Sequence, residues 1–186
     1  MTPQEFEKRL QLKAKEIQSY ANNRYPSIAG NIALRFINGN FRAQGFQGQR
    51  FERWQKGKKK SGSTLVVTGA LRAANYYTTQ PGQTTLKNSR PSAKAHNEGF
   101  KGTVTVSAHS RNRYTRSKVG TGKFTKTGKE RTQTITSKSG SSMVKSHSRK
   151  MNLPKRQFMP TSPNDSPVLN NAIIREVAKD INQIMQ

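Results

Sequence analysis

The chain predicts an α+β fold, with N- and C-terminal amphipathic helices packed on a small antiparallel sheet and a long basic β-hairpin or arm set into it. Three observations predict it. Apolar residues recur at helical spacing near both ends, and they alternate with Thr and Ser after Gly102. A Lys/Arg/Ser/Thr/Gly-rich stretch with almost no large apolar side chains then separates the strand signals. Residues 1–106 and 143–186 are expected to form one core domain. Residues 41–63 are expected to form a basic, aromatic-dotted arm or loop, and 107–142 the extended basic insertion.

In chain order, Thr2-Pro3-Gln4-Glu5 reads as a capping box with Pro at the first helical position. Phe6, Leu10, Ala14, Ile17 and Ala21 follow as one apolar stripe. Tyr25-Pro26 is expected to break that helix. A second should run from Ser27 to about Phe41, burying Ile28, Ile32, Phe36 and Ile37 and fraying at Asn38-Gly39-Asn40. The polar segment carrying Phe41, Phe46, Phe51 and Trp54 reads as a surface arm, and Lys56 to Ser63 as a basic flexible loop. Leu65-Val66-Val67 reads as a short β run, and residues 79–92 as turn-rich.

From Gly102, Val104 and Val106 alternate with Thr103, Thr105 and Ser107 as a strand does. Weaker strands are expected at 132–136 and near Met143-Val144. The stretch 107–142 cannot bury enough apolar surface to offset its ordering entropy, so it is expected to order only against a partner. Val106-Ser-Ala-His-Ser-Arg111 is echoed by Val144-Lys-Ser-His-Ser-Arg149, which fits paired strands bracketing an arm. Ser166 and Pro167 then start a last helix striped by Leu169, Ile173, Val177, Ile181 and Ile184.

The chain carries 34 Lys+Arg against 9 Asp+Glu, a formal charge of +25, with 31% apolar residues in 186. Such imbalance opposes a compact free monomer and favours a polyanionic or acidic partner. The excess is regional: residues 101–150 hold 13 Lys and Arg against the single acid Glu130. No run approaches the roughly 20 apolar residues of a membrane span. MTPQEFEKRL lacks the apolar stretch of a secretory signal, so neither is expected. With no cysteine, disulfides and thiolate metal sites are excluded.

Little points to catalysis. His96, His109 and His147 lack metal-ligand spacing, and the few acids form no paired-carboxylate set. The expectation is a non-enzymatic chain without cofactor or metal. Nucleic-acid binding is the rival reading, of ribosomal or chromatin type. Phe51, Arg53, Trp54, Lys56, Lys58, Lys59 and Lys60 interleave aromatics with cations, as do Arg111, Arg113, Tyr114, Arg116 and Lys118. No zinc finger, aromatic RNP strand or GxxG loop accompanies them.

Four segments in order carry a resemblance. Leu65-Val66-Val67-Thr68-Gly69-Ala70-Leu71-Arg72 resembles the L-x-x-[ST]-G-x-L-R segment of the phage virion morphogenesis (tail completion) family. His96-Asn97-Glu98-Gly99 matches its H-x-x-G, and Pro154-Lys155-Arg156-Gln157-Phe158 its P-x-R-x-F strap before the last helix. Asn40 to Phe46 with Trp54 is similar to some members. The chain departs from the family at Ala93-Lys94-Ala95, less apolar than the strand usual before the histidine, and in its longer basic insert.

The resemblance implies a structural protein of the tailed-phage neck or tail, found in the virion and in the host cytoplasm during assembly. It implies self-assembly into a ring, commonly six- or twelve-fold, meeting portal or adaptor, tail-terminator or tail-tube proteins, with channel DNA nearby and no membrane. The motif positions expected to matter are Thr68, Gly69, Leu71, Arg72, His96, Asn97, Glu98, Gly99, Pro154, Arg156 and Phe158. The cations expected to face an assembly partner or DNA are Lys56, Lys58, Lys59 and Lys60 in the loop, with Arg111, Arg113, Arg116, Lys118, Lys123, Lys126, Lys129, Arg149 and Lys150 in and beside the arm.

Overall fold

The structure, a computed structural model, describes residues 2–57 and 62–186. It is α+β and divides into two units, Met1–Phe100 with Asn152–Gln186, and Lys101–Met151. The second unit thus takes in more than the expected insertion 107–142, because the strands flanking the hairpin belong with it.

In the first unit, α1 (Pro3–Ser19) starts as its sequence dictates. Thr2 Oγ1 accepts from Glu5 N–H, and Glu5 reaches back to the Thr2 N–H at 2.7 Å. Its stripe is only half used: Ile17 is partly covered, whereas Phe6 and Leu10 stay 58% and 56% exposed.

The expected break at Tyr25-Pro26 does not occur. Proline has no N–H for the carbonyl of Asn22, and its ring would crowd that oxygen. The helix instead widens into a π turn, Tyr20–Arg24, where Tyr25 N–H donates to the Tyr20 carbonyl. The Asn22 carbonyl accepts from Gly82 N–H at 3.4 Å. The chain then continues as α2 (Tyr25–Ala43). Tyr20 is buried in this turn. Burial, and then the neighbouring Asp180 carboxylate, push its phenol up to about 12.

The segment after α2 is not a surface arm. Gln44 leaves the helix at φ +57, and β1 (Gly45–Gln47) pairs antiparallel with β2 (Phe51–Arg53). This short hairpin folds Trp54 back over Phe41, ring centroids 5.4 Å apart and nearly perpendicular, while Phe46 meets Phe36 edge-on. Phe41, Phe46 and Trp54 are all buried; only Phe51 faces outward.

Leu65-Val66-Val67 is not a strand but a turn, with Leu65 at φ +63. Leu65 and Val66 pack on the core as isolated side chains, and α3 (Ala70–Ala73) follows. The turn-rich reading of 79–92 also gives way: β3 (Asn75–Gln80) and β4 (Gln83–Asn88) form a hairpin closed by Pro81-Gly82, with Gly82 at φ +72. This hairpin lies against α2 because residue 30 is glycine; a Cβ there would sit 2.5 Å from the Tyr77 ring. Ala93-Lys94-Ala95 belongs to the helix α4 (Ala93–Glu98), not to the strand that the family pattern has before the histidine.

The last helix, α5 (Pro167–Met185), is capped by Ser166, whose hydroxyl accepts from Leu169 N–H, and it packs along α1 and α2. The buried cluster joins Ile37, Phe41, Trp54, Ala93 and Phe158.

In the second unit, β5 (Phe100–Val106) pairs with β8 (His147–Leu153), and β6 (His109–Phe124) with β7 (Glu130–Val144). The two weak strands expected at 132–136 and 143–144 are one strand, β7. The echoed segments mark the two joints where pairing is interrupted. At each, a histidine Nδ1 lies against the carbonyl two residues before it, His109 to Ser107 at 2.9 Å and His147 to Lys145 at 3.0 Å. The β6–β7 ribbon is exposed along nearly its whole length, and its register shifts between Arg113 and Tyr114 and again near the tip. Among the described residues no helix is long and apolar enough to cross a membrane.

Candidate functional site

In the first unit the structure brings three of the four motif segments together, His96–Gly99 and the Asn40–Phe46 segment with Trp54 both meeting the strap 154–158. Arg156 N–H donates to the His96 carbonyl at 2.8 Å, laying the strap 154–158 along α4. Asn97 does most of the fastening. Its buried Oδ1 accepts from both Phe158 N–H and Met159 N–H at 2.9 and 3.0 Å, and its Nδ2 donates to the Met159 carbonyl. Gly99 takes φ +82 beside the strap, where a Cβ would lie 3.1 Å from the Lys155 nitrogen. Both the left-handed backbone and the close approach therefore favour glycine at the fourth position of H-x-x-G.

The strap's alternate residues point into different partners. Arg156, buried, donates from Nε to the Gln55 carbonyl at 2.8 Å, and burial lowers its pKa. Phe158 is fully buried, its ring centroid 5.2 Å from that of Phe41. Trp54 Nε1 donates to the Gln157 carbonyl at 2.7 Å, and Asn40 Nδ2 to the Phe158 carbonyl at 3.1 Å. Pro154 is partly covered and Glu98 exposed. His96 is partly buried with an unpartnered Nδ1. Burial, and secondly the Arg156 cation, lower its pKa, so it stays neutral at pH 7.

The Thr68–Arg72 segment sits apart from this node. Thr68 Oγ1 accepts from Ala70 N–H, Gly69 turns at φ +73, and Leu71 packs on the core cluster. Arg72 Nε donates to Asn38 Oδ1 at 2.7 Å, which ties α3 to α2.

Several fastening residues were not singled out in the sequence, although Asn40 and Gln44 lie in the Asn40–Phe46 segment. Asn40, read as a fraying helix end, is fully buried and bridges Phe158 and Gln47. Gln44 holds the Thr64 backbone from both ends of its amide. Asp165 accepts from the backbone and hydroxyl of Thr161, from Ser162 N–H and from Gln157 Nε2. Burial raises its pKa, but the Thr161 and Ser162 donors outweigh that and hold it at about 2.

The cations fall differently. Arg111, Arg113, Arg116, Lys118 and Lys123 lie on β6, Lys126 and Lys129 at the ribbon's tip, and Arg149 and Lys150 on β8; all are exposed. Lys56 is exposed in the first unit, and Lys58, Lys59 and Lys60 lie outside the described residues. Among the described residues the ion pairs are Lys13–Glu16 and Lys179–Glu176, both on helices of the first unit. No group of three metal-ligating side chains comes together among them either.

In comparison with known proteins, no family model, curated protein or solved structure matches the chain.

Proposed function

We propose that the chain is a structural virion protein of the tailed-phage neck or tail, acting by ring assembly between portal or adaptor and tail rather than by turnover. The observation that carries this reading is the convergence of His96–Gly99 with Pro154–Phe158. Segments that resemble one family's motifs, far apart in sequence, here fasten each other through Asn97 and Arg156. What they fasten is the backbone, and Asn97, Arg156 and Phe158 are engaged in packing or in holding a loop; such residues suit a rigid mount.

A ring supports the rest of the molecule's character. Exposed ribbons present unpaired strand edges, which neighbouring subunits can cover. The half-used stripe of α1, with Phe6 and Leu10 outward, is apolar surface available to a neighbour. Native mass spectrometry of the purified chain, with labelling of assembled particles, tests the reading. A closed ring located at the head–tail junction is expected. A chain that stays monomeric at all concentrations and is absent from the particle would overturn it.

A further inference from the structure

The ribbon between its two register shifts has two chemically distinct faces. From Tyr114 to Gly120 the strand β6 pairs without interruption with Thr132 to Lys138 of β7. Opposed residues of an antiparallel pair project to the same side, and successive residues alternate. One face therefore carries Tyr114 opposite Lys138, Arg116 opposite Thr136, Lys118 opposite Thr134, and Thr132 opposite Gly120. The other carries Thr115, Ser117, Val119, Gln133, Ile135 and Ser137. Every cation of this section lies on the first face, and none on the second.

We infer that the face bearing Arg116, Lys118 and Lys138 is a binding surface for the phosphate backbone of double-stranded DNA. This deepens the neck reading by naming the side of the arm that meets the channel's contents, and it rests on that reading only for the source of the DNA. Arg and Lys with threonine hydroxyls are phosphate donors, and phosphate contacts fix position without reading sequence. Arg116 and Lys118 stand two residues apart, about 6.8 Å along the strand. Each is opposed by a threonine rather than by another cation, so the face is charged without direct cross-strand repulsion. A two-stranded ribbon is also narrow enough for the major groove, about 12 Å wide.

A second copy of the chain is the poorer partner for this face. The unit from Lys101 to Met151 holds one acid, Glu130, and its carboxylate accepts from Gly122 N–H within the ribbon. Of the other acids Asp180 is buried, Asp165 is engaged by Thr161 and Ser162, Glu5 is tied into its helix cap, and Glu16 and Glu176 pair with Lys13 and Lys179, which leaves Glu7, Glu52 and Glu98. Duplex DNA supplies a charge every 1.7 Å or so of its axis, a density that a subunit carrying +25 cannot offer.

The test places the same two charges on either face of the full chain. Thr134→Glu with Thr136→Glu sets carboxylates directly opposite Lys118 and Arg116. Ser117→Glu with Ser137→Glu sets them on the uncharged side. All four positions are exposed, so folding, checked by circular dichroism, should be kept. Binding to a short mixed-sequence duplex is titrated from about 50 to 200 mM salt, with polyglutamate as an acidic-polypeptide probe. The first pair should weaken DNA binding about 10-fold or more and lower the log–log salt slope by roughly 2, the second by less than about 2-fold. Equal losses for the two pairs, or no loss, would overturn the inference. So would a polyglutamate affinity that falls as far as that for DNA, which would point to an acidic protein instead. Native mass spectra of the same samples separate the two readings. Face-selective DNA binding without a ring overturns the ring alone, and a ring with face-indifferent binding overturns the ribbon alone.

Discussion

The two units differ in where their residues find partners. In the first, aromatic rings and buried amides reach across long sequence separations: Trp54 to Gln157, Asn40 to Phe158, Asn97 to Met159. In the second, β6 and β7 bond mainly to each other across one turn, and almost every side chain is exposed. One is held by what it buries, while the other is shaped by a ladder and kept wet by its charge. The difference teaches that the +25 is carried in two ways, +12 on a ladder that buries almost nothing and +13 on the unit that holds the core. Burial is concentrated in the first unit, so the exposed ladder and the charge it carries can be broken without the core.

The strongest break is at Phe158. Its ring is fully buried on Phe41, so Phe158→Ala should cost about 3–5 kcal/mol in denaturant unfolding. Phe124→Ala, the same deletion on a ring 64% exposed in the ribbon, should stay within about 0.5 kcal/mol. Similar costs for the two would erase the contrast between the units.

Next is Asn97. Its removal leaves two buried or half-buried N–H groups and a carbonyl of the strap without partners, so Asn97→Ala should cost about 2–4 kcal/mol. The cost should appear as faster hydrogen exchange at Phe158 and Met159, with exchange in the ribbon unchanged.

The smallest expected effect is a pH dependence. His96 has a folded pKa below its ordinary 6.5, so the unfolded chain takes up the proton first on acidification. Stability is full above about pH 6.5 and declines as pH falls from there toward the folded value. His96→Gln should flatten that part of the curve. Asp165, held at about 2, runs with the same sign lower down: its contribution is present above the ordinary carboxylate range and is lost as pH falls toward 2.

Much of the fold was legible where a local rule decides the outcome. The Thr2–Glu5 capping box, the Ser166 cap with Pro167, and the alternation about Val104 and Val106 each depend on neighbours in sequence. Three errors share one cause, a tertiary partner that no window of sequence contains. Phe41, Phe46 and Trp54 stand among Arg, Gln and Gly, so their average is polar, yet the strap residue Phe158 packs with Phe41 and Trp54 from beyond residue 150, and Phe46 meets Phe36. Leu65 to Val67 has β-forming side chains but no strand to pair with. Tyr25-Pro26 looks like a break until Gly82 is there to take the freed carbonyl of Asn22. Of the site, the segments could be marked out in the sequence but not their grouping. His96–Gly99 and the Asn40–Phe46 segment with Trp54 both meet Pro154–Phe158, whereas Thr68–Arg72 serves α2. The Pro81-Gly82 hairpin was legible in principle, since Tyr/Thr-rich runs flank a turn dipeptide.

The separation of holding from reaching is tested most directly by removing the ribbon. Arg111 and Ser142 are register partners, so residues 112–141 can be replaced by a two-residue Asn-Gly turn. The measurement is the denaturant midpoint of this shortened chain beside its affinity for duplex DNA and its incorporation into particles. An unchanged cooperative midpoint with DNA binding and joining lost is the result expected of two units with separate work. A shortened chain that no longer folds, or one that folds and still binds DNA as the full chain does, would contradict it.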